Sequence, residues 1–167
     1  MVCDLTIPKE KYAAFRETCE QVKRDILSVL DELIVAIDKD TEAYNKVSAA
    51  FKMPKDTEEQ KAARSVAIRE ATVEATKVPY RTMELCLAGL SITQRAVGRS
   101  NPNAASDLGV AALNLLAGLK GAYLNVKINL PGIKDEETRA SFAAAAAMAE
   151  EAEQKAAGIY EEVLAAL

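Results

Sequence analysis

Asp40 is the residue whose type and position most invite chemistry. Leu33, Ile37, Tyr44, Val47 and Phe51 form an apolar stripe, and Asp40 falls in line with it at helical spacing. A carboxylate in line with core positions loses water. That raises its pKa and lets it hold a proton near neutrality, as a general acid or base must. The competing reading is that the helix breaks at Lys39 and Asp40 merely caps a second helix, Thr41 to Phe51. Asp38 is displaced around the helix from the stripe and reads as surface.

A second group of polar residues surrounds Asn101-Pro102-Asn103 and Ser106-Asp107. Asn and Asp in a turn usually bond their own backbone, and Ser-Asp before an apolar run reads as a helix cap. Downstream, Asp107, Ala111, Asn114, Gly118, Gly121 or Ala122, Asn125 and Asn129 make a stripe of small or polar residues on one helix. Each helical glycine costs roughly 1 kcal/mol relative to Ala. The compensation is close approach by another helix or by a flat ligand, and the sequence leaves both open. Lys52, Lys55, Arg64, Arg95 and Arg99 could meet an anionic tail, but charges at such positions are ordinarily solvated. Gly118-Leu119-Lys120-Gly121 lies inside a helix and fits no phosphate-loop pattern.

The composition removes several alternatives. With no histidine, Ser-His-Asp and Cys-His machinery are excluded, as are His-built zinc sites. Cys3, Cys19 and Cys86 are far apart, odd in number and without metal-finger spacing, which suits a reducing cytoplasm and no metal. A net charge of −4 with mixed signs argues against a nucleic-acid surface. No uncharged apolar run is long enough for a bilayer. Carboxylates, amides, hydroxyls, Lys or Tyr are left to do any chemistry.

These residues must be positioned by helices. Only 7 Gly and 5 Pro interrupt 167 residues, aromatics are 5%, and Ala, Leu, Glu and Lys are abundant. The length suits one domain, residues 1–167. After an extended lead at Leu5-Thr6-Ile7-Pro8, the stripe Tyr12, Phe15, Cys19, Val22, Ile26, Val29, Leu33, Ala36 predicts a long first helix, stopped at Met53-Pro54. Thr57-Glu58-Glu59-Gln60 has the form of a capping box opening a second helix to about Val97, which Pro79 should break or kink near Val78. A third helix, capped by Ser106 or Asp107, runs to about Asn129 and ends at Leu130-Pro131-Gly132. A last one, from near Asp135 to the C-terminus, carries the mostly small stripe Phe142, Ala145, Ala149, Ala152, Ala156, Ile159, Val163. Long helices with short connections predict an all-α, up-and-down bundle.

Five segments, in the family's order along the chain, carry a resemblance. Ser100-Asn101-Pro102-Asn103-Ala104-Ala105-Ser106-Asp107-Leu108-Gly109-Val110-Ala111-Ala112 is similar to the "GNPN…SD.GVAA" segment of the formiminotetrahydrofolate cyclodeaminase and methenyltetrahydrofolate cyclohydrolase family. Ala122 to Leu130 resembles that family's "A.LNV.INL", Ile37 to Asn45 its "D.DA.AFN", and Phe51 to Lys55 its "K.PK" loop. Val2 to Tyr12 is similar to "LT.GKKKY", with Pro8 in place of Gly. The resemblance covers essentially the whole chain.

It implies a dimeric, cytoplasmic helical bundle acting on tetrahydrofolate one-carbon units, with the folate as substrate and no permanently bound cofactor. Its members close 5-formiminotetrahydrofolate to the 5,10-methenyl form with loss of ammonia, or hydrolyse the methenyl form to 10-formyltetrahydrofolate. The second aspartate of "D.D", the family's presumed proton donor or acceptor, aligns with Asp40. By the same resemblance Asn101, Asn103, Asp107, Asn125 and Asn129 would orient the pterin and its one-carbon bridge. The family's usual N-terminal helix with a Pro-Gly-Gly-Gly-Ser motif has no counterpart in this sequence. A bundle without it would expose an apolar groove, filled by a partner or a rearranged segment. A second reading follows: a non-catalytic helical module that serves as an assembly partner.

Overall fold

A computed structural model describes all of residues 1–167. Every regular element is helical: α1 (Arg16–Phe51), α2 (Glu58–Ala96), α3 (Ala105–Asn129), the short α4 (Glu136–Ala140) and α5 (Ala145–Ala165). Tight 3-10 turns at Glu10–Phe15, Pro102–Ala104 and Leu130–Gly132 precede α1, precede α3 and follow it. The four long helices form a bundle in which α2 packs against α1, α3 and α5, and α3 against α5.

The lead segment is coiled rather than extended. The Thr6 and Ile7 amides donate to the Cys3 carbonyl at 3.0 and 2.9 Å, and the Thr6 hydroxyl donates to the Val2 carbonyl at 2.8 Å. Local hydrogen bonding thus outweighs the strand propensity of Leu5-Thr6-Ile7. From there the first stripe behaves as its spacing predicts, with Tyr12, Cys19, Val22 and Val29 buried. Helix α1 does not break at Lys39 but runs on to Phe51.

The capping box of α2 is present: Thr57 Oγ1 accepts from the Gln60 amide at 3.2 Å while Gln60 Oε1 accepts from the Thr57 amide at 3.2 Å. Pro79 does not end this helix, which continues through it from Glu58 to Ala96. At α3 the cap is neither Ser106 nor Asp107. Asn101 Oδ1 accepts from the Asn103 amide at 3.2 Å, one turn earlier, and the 3-10 turn leads straight into α3.

The last helix is two pieces. Asp135 caps α4 by accepting from the Thr138 amide at 2.7 Å, and a turn over residues 141–144 separates α4 from α5. The small stripe nonetheless packs as read, because Phe142, Ala145, Ala149, Ala152, Ala156, Ile159 and Val163 are all buried. Phe142 meets Tyr80 of α2 edge to face, with ring centroids 5.2 Å apart. At the heart of the bundle Met83, Leu90, Leu119, Val126, Ile133 and Ile159 lose essentially all contact with water, each worth roughly 1.5–3 kcal/mol. Large apolar residues elsewhere stay exposed: Leu27, Leu30, Ile34 and Ile37 along α1, and Val110, Leu113, Leu124 and Ile128 along α3.

Candidate functional site

A cleft of about 400 Å³ opens where α1 and α3 stand apart over α2. Helix α1 contributes Asp40 beside Ala36 and Ile37, α2 contributes Val78, Pro79 and Thr82, and α3 contributes Gly118, Gly121 and Asn125. Asp40 is therefore brought together with Asn125 and with the glycine stripe.

Its surroundings differ from the expectation. Of the stripe in which Asp40 falls, Leu33 and Val47 are half-buried but Ile37, Tyr44 and Phe51 are exposed, as is Asp40 itself; the buried face of α1 lies beside it, at Ala43 and Ala50. That stripe lies at the edge of the buried face and α3 does not close over it, so water reaches the carboxylate. The desolvation argument made from the stripe does not hold for the chain by itself. Position on a helix face fixes direction, whereas burial needs a partner on the other side.

The glycine stripe answers both of the questions it raised. A Cβ on Gly118 would lie 3.4 Å from the Cys86 sulfur, so this residue lets α3 come close to α2. A Cβ on Gly121 would meet nothing within 4 Å, so this one keeps the cleft open. Asn125 Nδ2 donates to the Gly121 carbonyl at 3.4 Å, which leaves its Oδ1 facing the cleft or solvent without a protein donor. Thr82, which the sequence reading did not single out, donates its hydroxyl to the Val78 carbonyl at 3.1 Å and can still accept.

The other expected site residues lie elsewhere. Asn129 donates through Nδ2 to the Ala75 carbonyl of α2 at 3.4 Å. Asn101 is buried and fully occupied. Its Oδ1 accepts from the Tyr12 hydroxyl at 2.9 Å as well as from Asn103, its Nδ2 donates to the Leu5 carbonyl at 3.2 Å, and its amide donates to Thr6 Oγ1 at 2.9 Å. Asn103 is exposed and Asp107 half-buried in the first turn of α3. About five helical turns, roughly 27 Å, separate Asp107 from Asn125, so one chain does not gather both around one small bridge.

A larger opening, about 470 Å³, lies on the other side of the α1–α2 contact. Its charges are mostly paired: Arg81 with Glu32 and Glu84 at 2.7 and 2.8 Å, Lys77 with Glu74 at 2.5 Å. These exposed pairs describe a solvated surface. Cys3 and Cys19, distant in sequence, meet in the fold. Burial pushes the Cys3 thiol up to about 11, and the neighbouring Cys19 adds to the push. Burial also raises Cys86. Thiols held protonated in this way are poor nucleophiles.

Comparison with known proteins agrees with this fold. Residues 1–150 match the family model described as formiminotransferase-cyclodeaminase. The chain is 38% identical over 135 residues to the methenyltetrahydrofolate cyclohydrolase of Methylorubrum extorquens, covering 81% of this chain and 65% of that protein. It is 33% identical over 126 residues to the formimidoyltransferase-cyclodeaminase of Gallus gallus, covering 72% of this chain but 23% of that protein. The chain thus spans just under two thirds of the first relative and about a quarter of the second. Its fold superposes on the crystal structure of formiminotetrahydrofolate cyclodeaminase from Thermotoga maritima with a TM-score of 0.78 at 27% identity, over 100% of this chain and 78% of that one. By sequence over most of its length and by fold over all of it, this chain belongs to the formiminotransferase-cyclodeaminase family.

Proposed function

We propose that the chain interconverts tetrahydrofolate one-carbon units at the α1–α3 cleft, with Asp40 as the general acid or base. The observation that carries this is the shared cleft: Asp40, Asn125, Thr82 and the open face of Gly121 line one cavity. A flat pterin lying over Gly121 would exclude water from Asp40, supplying on binding the desolvation that the free chain lacks. Asn125 Oδ1 and the Thr82 hydroxyl could then bond the pterin edge.

Hydrolysis of 5,10-methenyltetrahydrofolate to the 10-formyl form is the first reading, favoured by the 38% identity to a cyclohydrolase. Here the Asp40 carboxylate takes a proton from the water attacking the methenyl carbon. The carbon–N5 bond of the adduct then breaks as Asp40 returns that proton to N5, the adduct's hydroxyl proton goes to solvent, and the formyl group stays on N10. Closure of 5-formiminotetrahydrofolate to the methenyl form is the second, favoured by the fold shared over the whole chain with a cyclodeaminase. There N10 bonds the formimino carbon and gives up its proton to the formimino nitrogen, Asp40 supplies a second proton, and the carbon–nitrogen bond breaks as ammonia leaves. Neither step requires a histidine or a bound cofactor. A second copy of the chain is the proposed partner, packing on the exposed stripe Leu27, Leu30, Ile34, Ile37 at the cleft's edge.

The experiment follows the methenyl chromophore by absorbance in both directions. Accelerated loss means hydrolysis and growth from the formimino compound means ring closure. Asp40→Asn should lower kcat by about 10²–10⁴-fold with unchanged circular dichroism, since an exposed side chain holds nothing else in place. Full activity in that variant sinks the assignment. Silence in both directions from a folded chain would favour the non-catalytic module.

A further inference from the structure

Pro79 has no N–H, so the Ala75 carbonyl one turn back lacks its helical donor. The Asn129 carboxamide, at the end of α3, donates to that same carbonyl at 3.4 Å. The neighbourhood is fixed from other directions too. The Thr76 hydroxyl, fully buried, donates to the Thr72 carbonyl at 2.7 Å. Just past α3, Gly132 comes so near that a Cβ there would sit 3.2 Å from Thr72 Cγ2. Val78, Pro79 and Thr82, the next turn of α2, form the cleft wall across from Asp40.

We propose that Asn129 is a positioning residue, its carboxamide standing in for the amide that Pro79 lacks and so fixing the course of α2 along the Asp40 cleft. The inference rests on the reading of that cleft as the folate site. It gives Asn129 a partner within the protein in place of the pterin.

The test is a cycle of four full-length proteins: unchanged, Asn129→Ala, Pro79→Ala and the double variant. Residue 79 regains an N–H in Pro79→Ala and can bond Ala75 directly. Asn129→Ala should therefore lower the melting temperature by about 2–4 °C, the shift of one lost hydrogen bond in a chain of this size, in the Pro79 background only. Asn129→Asp, which keeps the shape without the donor, should behave like Asn129→Ala. An equal fall in both backgrounds overturns the proposal. Should Asn129→Ala fail to fold, the double variant should still fold, and its failure beside a folded Pro79→Ala would be equally fatal. Turnover of methenyltetrahydrofolate adds a readout that packing alone would not move. Asn129→Ala should lower kcat several-fold with KM little changed, and should add nothing to Pro79→Ala. A KM increase that persists in the Pro79→Ala background means direct substrate contact and overturns it as well. The melting cycle needs no substrate, so it reports on Asn129 even in a chain inactive on folates.

Discussion

Gly118 brings α3 against α2 at Cys86, where an added Cβ would stand 3.4 Å from the sulfur, whereas Gly121, almost one turn on, faces open space. Two glycines of one stripe therefore have different reasons to exist, the first in packing and the second in the cleft.

Gly121→Ala tests this difference. The methyl group has room, so helix propensity alone should raise stability by about 1 kcal/mol. The same methyl group narrows the cleft, so KM for the folate should rise. Thermal unfolding and the methenyl absorbance assay read the two effects separately. A variant both more stable and kinetically unchanged would remove Gly121 from the site.

Asn101→Ala should act on stability. It leaves the buried Tyr12 hydroxyl without its acceptor and the Leu5 carbonyl without a donor, a loss of about 3 kcal/mol if both stay unpaired. Tyr12→Phe, which removes one bond, should cost about 1 kcal/mol. Urea unfolding measures both. Limited proteolysis near Lys9 and Lys11 should quicken in Asn101→Ala as the lead segment comes loose.

Stability should fall at alkaline pH. Cys3 ionises at about 11 in the folded chain against an ordinary 9.0, so the native state keeps a proton that the unfolded state has already released. Its contribution is complete below pH 9 and is lost as pH climbs towards 11. Urea midpoints at pH 8, 9.5 and 10.5 should decline, and less steeply in Cys3→Ala. A slope identical in the variant assigns the effect to other groups.

Self-association should depend on the exposed face of α1. Sedimentation is expected to give twice the 18.0 kDa of one chain, and Ile34→Glu, which sets a charge in the middle of the Leu27–Ile37 stripe, should return the monomer. A monomer at all concentrations before substitution would leave that face without the proposed partner.

The elements were largely legible because long helices advertise themselves by period. The stripe from Tyr12 to Ala36, the Thr57 capping box and the alanine stripe from Phe142 to Val163 all pack as their spacing requires. What the period could not supply was the opposite side of each face. The predicted line through Asp40 is exposed at Ile37, Tyr44 and Phe51, and nothing in α1 says that α3 stays away from it. Pro79 reads locally as a breaker; the donor that meets the Ala75 carbonyl, the Asn129 carboxamide, comes from another helix. Asn101 carries a motif's signature and a fold's work at once, since its four partners come from the lead segment, the 3-10 turn before α1 and its own turn. Thr82 carries no signal in the sequence, because its spacing from Pro79 matters only where both line the cleft with Asp40.

The alanine face of α5 has a mechanical corollary. Between Ala145 and Ala156 its buried side chains are short, so they let the helix sit close to α3 while offering few ridges to stop it sliding lengthwise. The bulky stops lie mainly at the extremities, with Phe142 wedged on Tyr80 before the helix begins and Ile159 and Val163 in its last turns, and half-buried Met148 is the one long side chain packed on the core between them. A single Lys120–Glu153 ion pair crosses the smooth middle at 2.5 Å. Helix α5 is thus indexed like a drawer against its end stops: shortening Phe142 or Ile159 would free its axial position, while changes along the outward face of its centre would leave that position untouched.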